Sequence, residues 1–510
     1  MAKYKILCLF MLVQTYLVFG APVKKSDIVF TSDFNSANGR AQWSKLNNAQ
    51  WVKNGNTKNT CLLVNSEGST VFANLNLTPY RGMELFCCCW VKADNVSKPP
   101  QPYMGVKYML HYKSVTGDCW KQVNDVYGTF NWRKLYFRIT IPNDVSVGEI
   151  YLELQQSSGR VWFDSISVIV LNTPPTPLKS LKSKITHSST QFRGVMSPAT
   201  FRDEDIKTLG MDWNANLIRW QLVNTLPKDK IYSLTKYDDW LNAKLNELDK
   251  VLIACKKYGV RVVIDLHSPP GGRDSTTETS MFYNKTFNDH FISIWKRIAQ
   301  RYKGNTTVWG YDLVNEPVQE DLPSTEMNYR NTQIRAAEAI RQIDSITPII
   351  FETEYYTSPQ GFVFLSPIPL SNIIYEVHMY APSSFVYQGV YSKTPSITYP
   401  GLIDGRYTDR NTLKEILQPV RDFQLMYHVP IYVGEFSAIR WAPGAAQYLD
   451  DCIHIFEEYG WNWTYHAFRE WPGWSVEFED GSATGIPQKA IKDTDRKKVL
   501  LKWFAKNKKH

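Results

Sequence analysis

The chain has 510 residues, more than one ordinary domain uses and enough for two. Its net charge of +9 is spread along the chain apart from a small C-terminal cluster (Lys506, Lys508, Lys509), so the basic stripe that nucleic acid requires is missing and no nucleic-acid partner is expected. The 17 Trp, 29 Tyr and 24 Phe form a high aromatic share, enough for a core and also for the flat apolar faces that sugar-binding clefts need.

The first element reads as an export signal. Lys3 and Lys5 precede a mostly apolar stretch from Ile6 to Phe19, interrupted by Gln14 and Thr15, and the small residues Gly20 and Ala21 suit a cleavage site. The stretch falls short of the roughly 20 apolar residues that span a membrane, and no later segment qualifies. The expectation is a signal peptide over 1–20 and a secreted, extracellular monomer with no membrane association. Its removal takes Cys8 and leaves seven cysteines. An odd number leaves at least one thiol without a partner in the chain, and the pairing of the rest stays open. Adjacent Cys87, Cys88 and Cys89 on one strand point to alternating faces. Cys255 and Cys452 fall in helical patterns as buried thiols, and no spacing suggests zinc. Five glycosylation sequons begin at Asn76, Asn95, Asn284, Asn305 and Asn462.

Residues 27–171 read as an all-β unit. Short runs rich in Val, Ile, Tyr, Phe and Trp, such as Trp132 to Ile141 and Glu149 to Gln155, alternate with turn residues, and a β-sandwich is the natural solution. A linker follows over 172–189, opening with the proline-rich Asn172 to Pro177. From 190 to 510 the grammar changes to strands alternating with helices. The strands begin near Phe192, Asn216, Val260, Val308, Pro348, Ile373, Pro430 and Trp463. Helices are predicted over Asp238 to Tyr258, Asn288 to Tyr302, Tyr329 to Ile343, Asn411 to Tyr427, Ala445 to Tyr459 and Asp495 to Lys506. Eight strands with helical returns make a (β/α)8 TIM barrel.

In such barrels the chemistry sits where the strands end. Strand 2 ends near Arg219, strand 3 at Asp265 and His267, strand 4 at Asn315 and Glu316. Strand 5 ends at Glu352 and Glu354, strand 6 at His378 and Tyr380, strand 7 at Glu435. Two carboxylates across one barrel mouth are what glycoside hydrolysis needs, at about 5 to 5.5 Å for retention. Arg219 beside Glu435 would keep it anionic, and that anion would raise Glu316 toward the protonated form. Asn315 suits the sugar hydroxyl next to the reacting carbon, and His378 and Tyr380 suit a carboxylate or the substrate. Glu352 and Glu354 fit either a substrate contact or a buried ion pair. The long loop from Ser383 to Thr408, with Tyr387, Tyr391, Tyr399 and Tyr407, suits a binding wall.

The segments LIRW (Arg219), VVIDLHSPPGG (His267), YDLVNEP (Asn315, Glu316), YEVHMYAP (His378, Tyr380) and YVGEFSA (Glu435) stand in the order of glycoside hydrolase family 5, which the region from about 190 to 505 resembles. The resemblance implies retention through a covalent glycosyl-enzyme, with Glu316 as acid/base, Glu435 as nucleophile, and no cofactor or metal. One place departs. The family usually carries a tryptophan platform at the end of strand 8; here His466 or Phe468 takes its place, with Trp471 beyond, and Trp471 is assigned the stacking role. The closing segment of the β-unit, from Gly159, resembles the last strand of jelly-roll carbohydrate-binding modules. It makes Asp164 a candidate structural calcium ligand, an ordinary strand aspartate being the alternative. Trp90, Trp120 and Trp132 either stack on sugar or fill the core.

The expected partner is a β-linked polysaccharide, with cellulose or another β-glucan favoured. β-Mannan, xylan-type chains, an exo-acting β-1,3-glucosidase and transglycosylation use the same residues. A retired barrel that only binds carbohydrate would be expected to have lost one of Glu316 and Glu435.

Overall fold

A computed structural model describes residues 27–175 and 190–508, apart from 47, 54, 55, 57, 58, 66, 199, 225–227 and 392–395. The expected signal peptide and most of the linker lie outside the described residues. The chain divides into two compact units: residues up to Thr173 together with Glu320–Thr325, and Pro174–Gln319 together with Glu326–His510.

The N-terminal unit is two antiparallel sheets. One runs in the order Ala49–Lys53, Thr60–Val64, Arg160–Asn172, Glu84–Val96, Gly128–Thr140, with Ile28–Ser32 also on Arg160–Asn172. The other runs Ser69–Asn76, Val147–Gln155, Gly105–Ser114, Gly117–Gln122. From Thr60 onward the chain passes back and forth between the sheets, apart from the hairpin of Gly105–Ser114 and Gly117–Gln122 within one sheet, the path of a jelly roll. The period of two explains the packing: Val71, Ala73 and Leu75 on one strand and Ile150, Leu152 and Leu154 on its neighbour are buried while the residues between them are not. Cys87 and Cys89 join this core and Cys88 packs on the opposite face with Phe86 and Ile169, so the alternation read from the sequence holds. Among the described residues, Cys87, Cys88, Cys89, Cys119, Cys255 and Cys452 carry free thiols.

The second unit closes a parallel barrel from β1 (Arg193–Met196), β2 (Leu217–Gln221), β3 (Arg261–Asp265), β4 (Val308–Asp312), β5 (Ile349–Glu352), β6 (Ile373–Met379), β7 (Ile431–Phe436) and β8 (Asn462–Tyr465), numbered within this unit. Each predicted strand is present. The helices follow the predicted ones with ends shifted by their caps: Asn284 accepts from Thr286 and Phe287 N–H, which starts that helix at Lys285, and Asp409 starts the next long one at Arg410. Inside the barrel the pleat stacks side chains in layers. Leu217, Val263, Ile350, Ile374 and Tyr432 form an apolar floor. Two residues further along four of those strands the same inward positions hold Arg219, Asp265, Glu352 and Glu376, all fully buried. On β7 that position is Gly434, where a Cβ would lie 1.4 Å from Glu376 Oε1. A glycine there is what admits the Glu376 carboxylate to the layer.

Candidate active site

The charged layer is organised by one guanidinium. Arg219 reaches Asp312 at 2.7 Å, Glu435 at 2.7 Å, Glu352 at 2.9 Å, Asp265 at 3.3 Å and Glu376 at 3.3 Å. It also donates to Asn315 Oδ1 at 3.1 Å. Buried charge is tolerable only when paired in this way. Five carboxylates around one cation strain that balance. Burial and the neighbouring Glu376 push Asp312 well above the usual carboxylate range against the pull of Arg219, and burial with Glu376 pushes Glu352 up to about 7. The ion-pair alternative is therefore the one Glu352 adopts, while Glu354 is buried nearby in sequence without entering the Arg219 cluster.

Above this layer the predicted residues converge. Glu435 is 5% exposed at its side chain; Oε1 accepts from Arg219 and Oε2 accepts from Tyr380 Oη at 2.7 Å. Burial alone would raise its pKa, but the charges of His378, His466, Arg219 and His267 hold it well below the ordinary carboxylate range. Glu316 is more open, at 24% of its side chain, and contacts His378 Nδ1 at 3.1 Å. Its backbone takes a left-handed φ of 48°, with its N–H donated to Glu352 Oε2 at 2.7 Å and its carbonyl accepting from Arg273 at 2.6 Å. One oxygen each of Glu316 and Glu435 and a nitrogen of His378 lie within 4.8 Å of one another. His378 Nε2 is 3.1 Å from Glu376, and despite burial the surrounding acids push its pKa well up. His267 Nδ1 pairs with Asp265 at 2.8 Å and its Nε2 faces Asn315 Nδ2 at 3.4 Å, which aligns the Asn315 amide beside Glu316.

Among the described residues, two groups bring enough ligand atoms together for a cation, Glu316 with His378 and Glu435, and Glu352 with Glu376 and His378. Both are already matched to Arg219 or to each other. Asp164 belongs to neither: it is buried at the left-handed kink of Ser165, where its oxygens accept from Asn56 N–H at 2.8 Å and Ser165 Oγ at 3.2 Å.

Two residues escaped the sequence: Asp312 and Glu376 are each the second residue of a motif whose named residues lay further on. His466, weighed from the sequence only as a position for the strand-8 platform, directly follows β8 and lies 3.4 Å from Glu435 Oε2 and in hydrogen-bond contact with Tyr380 Oη. Of the positions weighed for the strand-8 platform, His466 is the one beside the nucleophile candidate. Phe468 is buried against Trp213, and Trp471 lies further out, 39% exposed, with its ring edge-on to Trp441 and Trp474. In the long loop, Tyr387 packs on Tyr380 at 5.4 Å and on the exposed Tyr391 at 5.7 Å, while Tyr399 is buried and donates to Asp451.

A family model described as cellulase (glycosyl hydrolase family 5) matches residues 179–470. The chain belongs to glycoside hydrolase family 5. It is therefore a glycoside hydrolase, acting on O-glycosyl bonds. Endoglucanase C of Acetivibrio thermocellus is 29% identical over 254 residues, 43% of this chain and 72% of its own. Cellodextrinase A of Ruminococcus flavefaciens is 26% identical over 245 residues, 47% of this chain and 69% of its own. Among solved structures, an endoglucanase from Thermotoga maritima aligns with TM-score 0.46 at 20% identity, over 61% of this chain and 96% of that one. Family membership covers the barrel; the N-terminal unit lies outside the matched residues.

Proposed function

We propose that this family 5 hydrolase cleaves a β-linked polysaccharide, cellulose or another β-glucan first, with retention of configuration. The observation that carries the reading is the pair of carboxyl groups with one oxygen each within 4.8 Å, in the range of a double displacement and too close for the water of an inverting site. Their surroundings divide the roles. Glu435, held anionic, attacks the anomeric carbon while Glu316 gives its proton to the departing glycosidic oxygen. Glu316 then takes a proton from water as that water displaces Glu435 from the sugar. Asn315, aligned by Arg219 and His267, donates to the hydroxyl next to the reacting carbon, where a hydrogen bond strengthens as positive charge develops. Trp471 and Tyr391 supply stacking faces further out. The glucan preference is supported by the relatives, an endoglucanase and a cellodextrinase, and the pattern from Lys3 to Ala21 supports export of the chain.

The test is hydrolysis of soluble β-glucan, mannan and xylan by wild type beside Glu316→Gln and Glu435→Gln, with the anomer of the first product read by NMR. Cleavage of one polymer with β product first, lost in both variants, is expected. An α product first, or undiminished activity in Glu435→Gln, would sink the mechanism.

The N-terminal unit is proposed to bind carbohydrate. What supports this is an open cavity of about 490 Å³ on the four-stranded sheet, lined by Trp120, Tyr151, Tyr103, Gln122 and Glu153 among others. Trp120 is 52% exposed and one face is stacked on His111, 3.6 Å between ring centres, which fixes the indole as a platform. Trp132 packs with Cys61, Leu63 and Trp162 instead, on the core side of the alternative.

A further inference from the structure

The proposed displacement leaves one pair beside the nucleophile without a task. His466 follows β8 directly, and its backbone N–H is tied to Phe436 O of β7 at 3.1 Å, which sets the imidazole against Glu435. Its Nε2 lies 2.9 Å from Glu470 Oε2. Its Nδ1 lies 3.4 Å from Glu435 Oε2 and in hydrogen-bond contact with Tyr380 Oη. Tyr380 in turn reaches Glu435 Oε2 at 2.7 Å.

Counting protons in this chain leaves two states. An ionised Glu470 only accepts, so Nε2 of His466 carries a proton in both. In the neutral ring Nδ1 is then a bare acceptor. Tyr380 has a single hydroxyl proton, and two acceptors, Nδ1 and Glu435, compete for it. In the imidazolium Nδ1 carries a proton of its own and donates to Tyr380 Oη. The hydroxyl proton then has Glu435 as its acceptor. We propose that His466, held by Glu470, is a positioning residue for the nucleophile: charged, it directs the Tyr380 proton to Glu435, and neutral, it draws that proton away. An indole, which the family usually carries at this place, has one donor and no second protonation state and cannot make this exchange.

The acids facing the ring favour its charged state. Burial and His267, which follows β3, oppose the charge; Glu435 on β7 and Glu470 on its own loop favour it, and the balance lies above the ordinary histidine value. Tyr380, following β6, and the Trp474 ring, 6.0 Å away and tilted by 32°, complete the surroundings. Ionisation of His466 acts on the first half-reaction, in which Glu435 gives up its negative charge to form a bond.

This inference depends on Glu435 being the nucleophile, and the experiment separates the two. The full chain is treated with fluorinated β-cellobioside and β-mannobioside inactivators bearing a dinitrophenolate leaving group, which departs without acid help, so the rate reports attack by the nucleophile alone. The rate is followed against pH for wild type, His466→Gln and the isosteric Glu470→Gln, and the labelled residue is found by peptide mass spectrometry. The wild-type profile is expected to contain an ionisation that His466→Gln abolishes. Glu470→Gln should move it to lower pH by about half a unit or more, because the imidazolium loses an anionic partner. Nitrogen chemical shifts of His466 in the unmodified protein should show Nε2 protonated throughout and Nδ1 titrating, a readout that needs no variant to fold. Failure to label Glu435 would overturn the nucleophile assignment and this inference with it. Label at Glu435 with three profiles that differ only in height, or a Nδ1 that never titrates, overturns this inference alone.

Discussion

Both units wrap β-strands around an apolar core, and they differ in how they treat charge. In the jelly roll the core shared by the two sheets is hydrophobic throughout, and its buried aspartate, Asp164, sits at a strand kink taking hydrogen bonds from Asn56 and Ser165. In the barrel only the floor is apolar; one layer higher, five carboxylates close around Arg219. The jelly roll carries its candidate ligand surface on an outer face, where aromatic rings cost little to expose singly. The barrel places its candidate chemistry inside, where the low dielectric lets fixed charges hold Glu435 anionic. The lesson is that a β-fold hosts binding on its faces and acid–base chemistry only where it can pair the charges it buries.

The sharpest way to break that contrast is at the proposed nucleophile. Glu435→Gln keeps the shape and removes the anion, and kcat should fall about a thousandfold or more with little change in Tm. A residual rate near wild type would mean the buried charge is structural after all. Next is the cation that holds the layer together. Arg219→Met should cost about 3 to 5 kcal/mol in chemical denaturation near neutral pH, since it strands buried carboxylates. The sign with pH follows. Without Arg219 the folded-state pKa values of Asp312 and Glu352 rise further above their unfolded ones, so the stability tied to these two acids is greatest in acid and is lost as pH rises through the folded values. A variant that instead loses stability on acidification would contradict the pairing described here.

A smaller effect concerns His378, the strongest of the attractive charges that depress Glu435. His378→Gln should move the acid limb of kcat/KM upward by about one unit, because the nucleophile protonates more easily. An unmoved limb would place the controlling group elsewhere. The smallest expected change is on the jelly roll. Trp120→Ala removes one stacking face, and retention on insoluble β-glucan should fall about tenfold in a pull-down assay, with turnover of short soluble oligosaccharides affected less. Equal retention by both proteins would return that sheet to a structural role and leave the barrel as the sole sugar-binding unit.

Local sequence determined a large part of this protein. The eight barrel strands were legible because each is a short β-branched or aromatic run bounded by turn residues, and helix ends such as Asn284 and Asp409 carry their own caps. Glu316, Asn315, His378, Tyr380 and Glu435 stood out because each closes such a run, at the strand end where barrels gather function. Tertiary structure alone decided the rest. Asp312 and Glu376 read as ordinary strand residues until closure brings β2 to β7 around one guanidinium, and Gly434 gains its meaning only from the Glu376 carboxylate that occupies the space of its missing side chain. The same holds at β8. The family resemblance left His466, Phe468 and Trp471 as positions near the strand-8 end, and only tertiary structure brings His466 against Tyr380, Glu435 and Glu470, drawn from three different segments. Strand periodicity is a property of neighbours along the chain, whereas paired charge is a property of neighbours in space, and a single sequence records only the first.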